Sequence, residues 1–268
     1  METSERFKFN SRLPFDPGFL KQEHAIDIED QTLLSLSQYQ ECWNMDEYVY
    51  RILTTEEIVE MLDFLQDLAC HRGICPLLTD DQSNYIGLYT DGPLRDKIGY
   101  LNHEETDLSP GFRHMERFIA KSLQTPGAEW DLLERDYPVV SDRDEQHAHS
   151  EIDLNVIQEI DRLLLQEELD EDYMQQLIFS KLTIMPYAES ERICRYLTSD
   201  DMFIQEKAVM LLRKRNYTPA ARALFEVAQN GMHNGRMAAI FALKQFRTEE
   251  SKRLLKELEA VLPKQYFT

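Results

Sequence analysis

CPLLTDDQSNYIGLYTDGPLRDKIGYLNHEETDLSPGFRHMERFIAKSL, residues 75–123, is the stretch whose reading decides the fold. From Asn84 to Tyr89 the side chains alternate. Tyr85, Gly87 and Tyr89 fall on one face and Ile86 and Leu88 on the other, the period-2 pattern of a strand. Asp91, Gly92 and Pro93 break the pattern, because glycine accepts positive φ and proline cannot donate to a ladder. Ile98 to Leu101 reads as a second short strand, so the two are expected to pair as a hairpin with a long loop. Ser109-Pro110 then reads as a helix start, with serine as N-cap and proline at the first helical position. Phe112, Met115, Ile119 and Leu123 give that helix one apolar face.

Upstream, Phe7, Phe9, Phe15 and Phe19 are mixed with Pro14 and Pro17, which predicts an irregular arm over residues 1–30. Leu33, Leu34, Leu36, Tyr39, Trp43, Tyr48 and Val49 suggest one or two helices before Arg51. Thr54 and Glu57 are spaced as a capping box, opening a helix to about Cys70 with Ile58, Leu62 and Leu65 at i, i+4 and i+7. Helices flanking a short sheet make residues 1–126 an α+β domain. Thr125-Pro126-Gly127 closes it, and residues 127–150 read as an acidic linker anchored around Trp130 and Leu133.

From Glu151 to the end the pattern is helical. Ile204, Ala208, Leu211 and Leu212 form one apolar stripe, Ala238, Phe241, Ala242 and Phe246 a second, and Leu254, Leu258, Val261 and Leu262 a third. Turn signals separate them at Asn216 to Pro219, at Asn230-Gly231 and at Asn234-Gly235. A shift of 30 residues lays Ala208 on Ala238, Leu211 on Phe241, Lys214 on Lys244, Thr218 on Thr248 and Leu224 on Leu254. Such a period marks stacked helical pairs, and residues 151–268 resemble a short HEAT-type solenoid.

Composition narrows the function. The net charge is −20, with 39 acidic against 14 basic side chains over residues 1–172 and 10 against 15 over residues 173–268. An acidic field repels nucleic acid and anionic membranes and attracts basic proteins. No apolar run approaches the ~20 residues of a membrane span, and the first residues lack a signal-peptide core, so a cytoplasmic protein is expected. Cys42, Cys70, Cys75 and Cys194 do not have the spacing of a disulfide framework and read as reduced, buried thiols. Cys70, His71 and Cys75 form at most half a zinc site, so no cofactor or metal is expected.

Residues 75–123 also resemble the SUKH superfamily, the domain of fungal Smi/Knr-type regulators and of many bacterial immunity proteins. The likeness rests on Thr79-Asp80-Asp81 leading through Asn84-Tyr85 into a strand, on the His103-Glu104 pair after the next strand, and on Ser109-Pro110 with Phe112. Asn102 stands where Asp often precedes the His-Glu pair. The resemblance implies an immunity protein that binds and blocks a cognate toxin, often a nuclease, in a bacterial polymorphic-toxin system. The alternative is an intracellular scaffold or regulator without a toxin.

No Gly-rich phosphate loop, G-x-S-x-G or H-E-x-x-H motif occurs. Asp80, Asp81, His103 and Glu104 could converge as a general acid–base group or a hydrolytic metal site. Short polar side chains bonding the backbone of a turn explain them better, and no enzyme is expected. The expected partner is a basic toxin, with neither membrane nor nucleic acid bound directly. Its expected contacts are the acidic side chains around the domain junction, Asp142, Asp144, Glu145, Glu167, Glu168, Asp170, Glu171 and Asp172, and then Asp80, Asp81, His103 and Glu104.

Overall fold

The computed structural model describes residues 13–44, 46–103, 106–141, 149–166 and 168–267. The fold is mixed α+β. In chain order its elements are α1 (Pro17–His24), α2 (Asp30–Cys42), β1 (Arg51–Ile52), α3 (Thr55–Leu65), β2 (Ile74–Thr79), β3 (Tyr85–Tyr89), β4 (Ile98–Leu101) and α4 (Met115–Gln124). Then come α5 (Ser150–Leu163), α6 (Glu171–Ile184), α7 (Ser190–Ile193), α8 (Met202–Lys214), α9 (Ala221–Asn230), α10 (His233–Phe246) and α11 (Glu249–Val261). None of the described helices is long and apolar enough to cross a membrane.

The chain divides into two compact units, Met1–Tyr137 with Arg162–Leu177, and Pro138–Asp161 with Ile178–Thr268. This differs from the expected boundaries in two places, since residues 127–137 and 162–177 both group with the first unit. Trp130 explains the former. It is 5 % exposed, stacks on Tyr100 at 5.1 Å and meets Phe112 edge-on at 5.4 Å. Asp136 and Tyr137 add polar ties. The Arg113 N–H and the Arg117 guanidinium donate to the Asp136 carboxylate at 3.0 Å, and the Arg113 guanidinium lies 4.5 Å over the Tyr137 ring. For the latter, the Leu108 N–H donates to Gln176 Oε1 at 3.0 Å and the Arg72 guanidinium stands 5.2 Å over the Tyr173 ring.

In the first unit four antiparallel strands lie in the order β1-β2-β3-β4. Register places Ile52, Leu78, Ile86 and Tyr100 opposite one another across all four strands. That face, with Leu88 and Ile98, packs on Phe112, Phe118, Tyr50 and Trp130 to make the core. The opposite face carries the parallel row Arg51, Thr79, Tyr85 and Leu101. Beyond that row Gly87 faces Gly99, and the space their side chains would need is filled by Ile74, Leu101 and Tyr89. In β2 the register shifts between Pro76 and Leu78, so Leu77 is an extra residue, a bulge.

Two local expectations are corrected. The arm before residue 30 contains α1, because the Asp16 carboxylate accepts from the Gly18 and Phe19 N–H groups and Pro17 sits at the first helical position. The helix expected from Ser109-Pro110 begins only at Met115. The Ser109 hydroxyl donates to the Asp107 carboxylate at 2.5 Å and so does not cap. The backbone of residues 111–112 instead bonds Ile98 on the β4 edge, with Gly111 N–H to Ile98 O at 2.8 Å and Ile98 N–H to Phe112 O at 3.0 Å.

In the second unit α8 and α10, and α9 and α11, occupy corresponding places at the 30-residue shift read in the sequence. Asn234-Gly235 is not a turn; it lies in the first turn of α10. Gly235 is needed there because a Cβ would stand 2.3 Å from Gln205 Oε1, and that oxygen accepts the Met232 N–H at 3.1 Å. The Gln205 amide donates on to Leu197 O at 2.9 Å, so one buried side chain ties three consecutive segments. Arg215, 2 % exposed, does the same by donating to Pro186 O at 3.1 Å, Met185 O at 2.5 Å and Ser190 Oγ at 2.9 Å.

Candidate functional site

The first unit carries a groove of about 800 Å3. Its floor is the four-strand row Arg51, Thr79, Tyr85 and Leu101, and one wall is the Met61, Phe64 and Leu68 side of α3 and the turn after it. α3 forms because Thr54 and Glu57 complete their capping box. The Glu57 N–H donates to Thr54 Oγ1 at 3.3 Å and the Thr54 N–H donates to Glu57 Oε2 at 2.8 Å. The helix turns Ile58 fully into the core, and it ends at Leu65 rather than running to Cys70. Phe64 and Leu68 remain 68 % and 41 % exposed at the mouth of the groove.

The polar end is organised by Arg51. Its guanidinium grips Glu57 with two bonds of 2.9 and 2.7 Å and Asp81 through Nε at 2.9 and 3.0 Å. Nε, Nη1 and Nη2 are thus all engaged by carboxylates of the protein itself. The Arg51 bonds hold the Glu57 carboxyl down at about 2. Glu60 also lines the groove, so three carboxylates and one guanidinium lie on its lining.

Asp80 does not enter the groove lining. Its carboxylate accepts from the Gln82 N–H at 2.8 Å, the Asn84 N–H at 3.2 Å and the Asn84 side chain at 2.7 Å, organising the β2–β3 turn in which Asp81 and Ser83 have positive φ. Asp81 and His103 both line the groove, whereas Glu104 lies outside the described residues. Of the junction acids, Asp142, Asp144, Glu145 and Glu167 also lie outside them. Glu168, Asp170, Glu171 and Asp172 are exposed. Asp170 is in addition the cap of α6, accepting from the Asp172 and Tyr173 N–H groups at 2.9 and 3.3 Å.

The groove lining extends to the turn Ala69–His71. His71 lines the groove, while the charges of Asp172 and Asp170 reach the neighbouring Cys70 thiol. Burial first, and then those charges, push that thiol up; burial pushes His71 down. Cys70 Sγ and His71 Nδ1 are 3.1 Å apart, but shifts in these directions keep both groups neutral, the opposite of a thiolate–imidazolium nucleophile. Among the described residues no group of three or more His, Cys, Asp or Glu is placed to hold a metal ion.

Sequence reading missed Arg51, Glu60, Met61, Phe64 and Leu68. A signal was present. Met61, Phe64 and Leu68 make a second apolar stripe beside Ile58, Leu62 and Leu65, wider than one core contact requires. Comparison of the chain with protein-family models, with curated proteins and with solved structures returned no match.

Proposed function

We propose that this chain is a stoichiometric protein-binding module of the immunity type, a SUKH-like α+β unit followed by a HEAT-like helical array, which holds a cognate toxin with a basic surface, such as a nuclease. The observation that carries the reading is the run of exposed acids Glu168, Asp170, Glu171 and Asp172 in a segment that groups with the acidic first unit. A basic substrate groove on a nuclease is complementary to such a surface, and occupying it blocks the enzyme without chemistry. The charge balance of residues 1–172 supplies the long-range attraction.

The test is capture of partners from a strain that carries the neighbouring genes, joined to rescue of growth when those neighbours are expressed. Rescue from an adjacent toxin supports the reading, and failure to rescue from any of them overturns it. With the captured partner, reversing Glu168, Glu171 and Asp172 to Lys slows association and flattens its dependence on salt. An unchanged association rate removes the electrostatic argument.

A further inference from the structure

The groove of the first unit has a chemistry more specific than general acidity. Three observations define it. First, its apolar wall is exposed, with Phe64 more than two-thirds open at 68 %. Second, its one guanidinium is spent. Arg51 is held by Glu57 and Asp81 through all three nitrogens, so an incoming phosphate or carboxylate would have to displace a carboxylate already in place. Third, the carboxylates outnumber the cation, since Glu57, Glu60 and Asp81 line the groove with Arg51. The groove therefore excludes anions and offers apolar contact beside negative charge.

We propose that this groove receives a segment of a partner protein that presents a large apolar side chain flanked by lysine or arginine. The apolar side chain lies against Met61, Phe64 and Leu68, and the flanking cations face Glu60 and Asp81. The proposal rests on the protein-binding reading above and adds the site and the chemical class of the segment that fills it. Charge complementarity selects this occupant over an acidic peptide and over an anionic lipid surface. Burying Phe64 and its counterpart supplies the affinity.

The test uses the full chain and three synthetic twelve-residue probes. One interleaves Leu and Phe with Lys, the second replaces Lys by Glu, and the third keeps Lys but replaces Leu and Phe by Ser. Binding is read by titration calorimetry and by the shift of the Met61 methyl signal in methionine-labelled protein. The first probe binds and moves Met61; the others bind at least tenfold more weakly. Phe64→Ser weakens the first probe by about tenfold to a hundredfold, the worth of one aromatic burial, and Glu60→Lys weakens it most at low salt. Phe64 is exposed, so an unchanged melting temperature shows that its variant is folded.

No binding by the first probe, equal binding of the Glu probe, or binding indifferent to Phe64→Ser overturns the proposal. The two readings fail separately. A toxin captured equally by wild type and Phe64→Ser sinks the groove and leaves the function standing. A groove that binds the probe in a protein that rescues from no toxin does the reverse.

Discussion

Gly111→Ala puts the placement of Trp130 at stake, and with it the membership of residues 127–137 in the first unit. A Cβ at Gly111 would stand 2.3 Å from Trp130 Cζ2 and 2.6 Å from Cη2. Carbon atoms pack at about 3.5–4.0 Å, so the indole must move by about an ångström or more. It has nowhere to go, being stacked on Tyr100 with an interplanar angle of 10° and bounded by Phe112 edge-on. Overpacking of this kind costs about 1–3 kcal/mol, and full expulsion of the ring approaches the roughly 3–5 kcal/mol of deleting it. A loss of about 3 kcal/mol is expected, which moves a urea midpoint by about 1 M at a slope near 3 kcal/mol per molar. Circular dichroism reads the transition without relying on tryptophan. The control is Trp130→Phe, whose smaller ring lacks the colliding edge, so adding Gly111→Ala to it costs almost nothing further. If Gly111→Ala is neutral alone, or costs as much on the Trp130→Phe background as on wild type, the packing argument fails.

Two further outcomes follow from local geometry. Gly235→Ala would raise helix propensity by about 1 kcal/mol on an open helix. Here it displaces Gln205 from the Met232 N–H and lowers the melting temperature, and a stabilised variant would contradict the tie described for Gln205. Glu57, held at about 2 against an ordinary 4.5, is harder to protonate folded than unfolded. Its contribution is therefore complete above about 4.5 and is lost as pH falls toward 2. Because 36 % of the side chain is exposed, the loss is screened to about 1 kcal/mol. Glu57→Gln flattens acid unfolding across that window, and identical acid titrations of the two proteins would refute the Arg51 clamp.

Short-range signals were the legible ones. The β4 bounds, the Thr54–Glu57 capping box and the polar β2–β3 turn depend on neighbours a few residues apart, and each is found in the structure. What failed depends on distant partners. Ser109 looks like a cap until Asp107 takes its hydroxyl, and Asn234-Gly235 looks like a turn until Gln205 is seen to occupy the missing side chain's space. Residues 127–150 read as a linker anchored around Trp130 and Leu133, which are buried, but the burial of Tyr137 was not legible. The groove was illegible for the same reason. Arg51, Thr79, Tyr85 and Leu101 become neighbours only when four strands align, and no spacing in the chain announces that.

The extra residue in β2 gives that alignment a rule of parity. Side chains along a strand point alternately to the two faces, so the number of residues between two positions, odd or even, decides whether they look the same way. Ile74 and Thr79 are an odd number of steps apart, yet both oppose tyrosines of β3 that share a face, Tyr89 and Tyr85. Leu77 absorbs the odd step. Were Leu77 to pair regularly instead of bulging, everything on its far side would invert. Thr79 and, through pairing, Arg51 would turn into the core while Leu78 and Ile52 turned out. The bulge therefore sets which way Thr79 and Arg51 look. Many substitutions there change one contact, whereas straightening the bulge with its residue kept exchanges the row of Arg51 and Thr79 for that of Ile52 and Leu78.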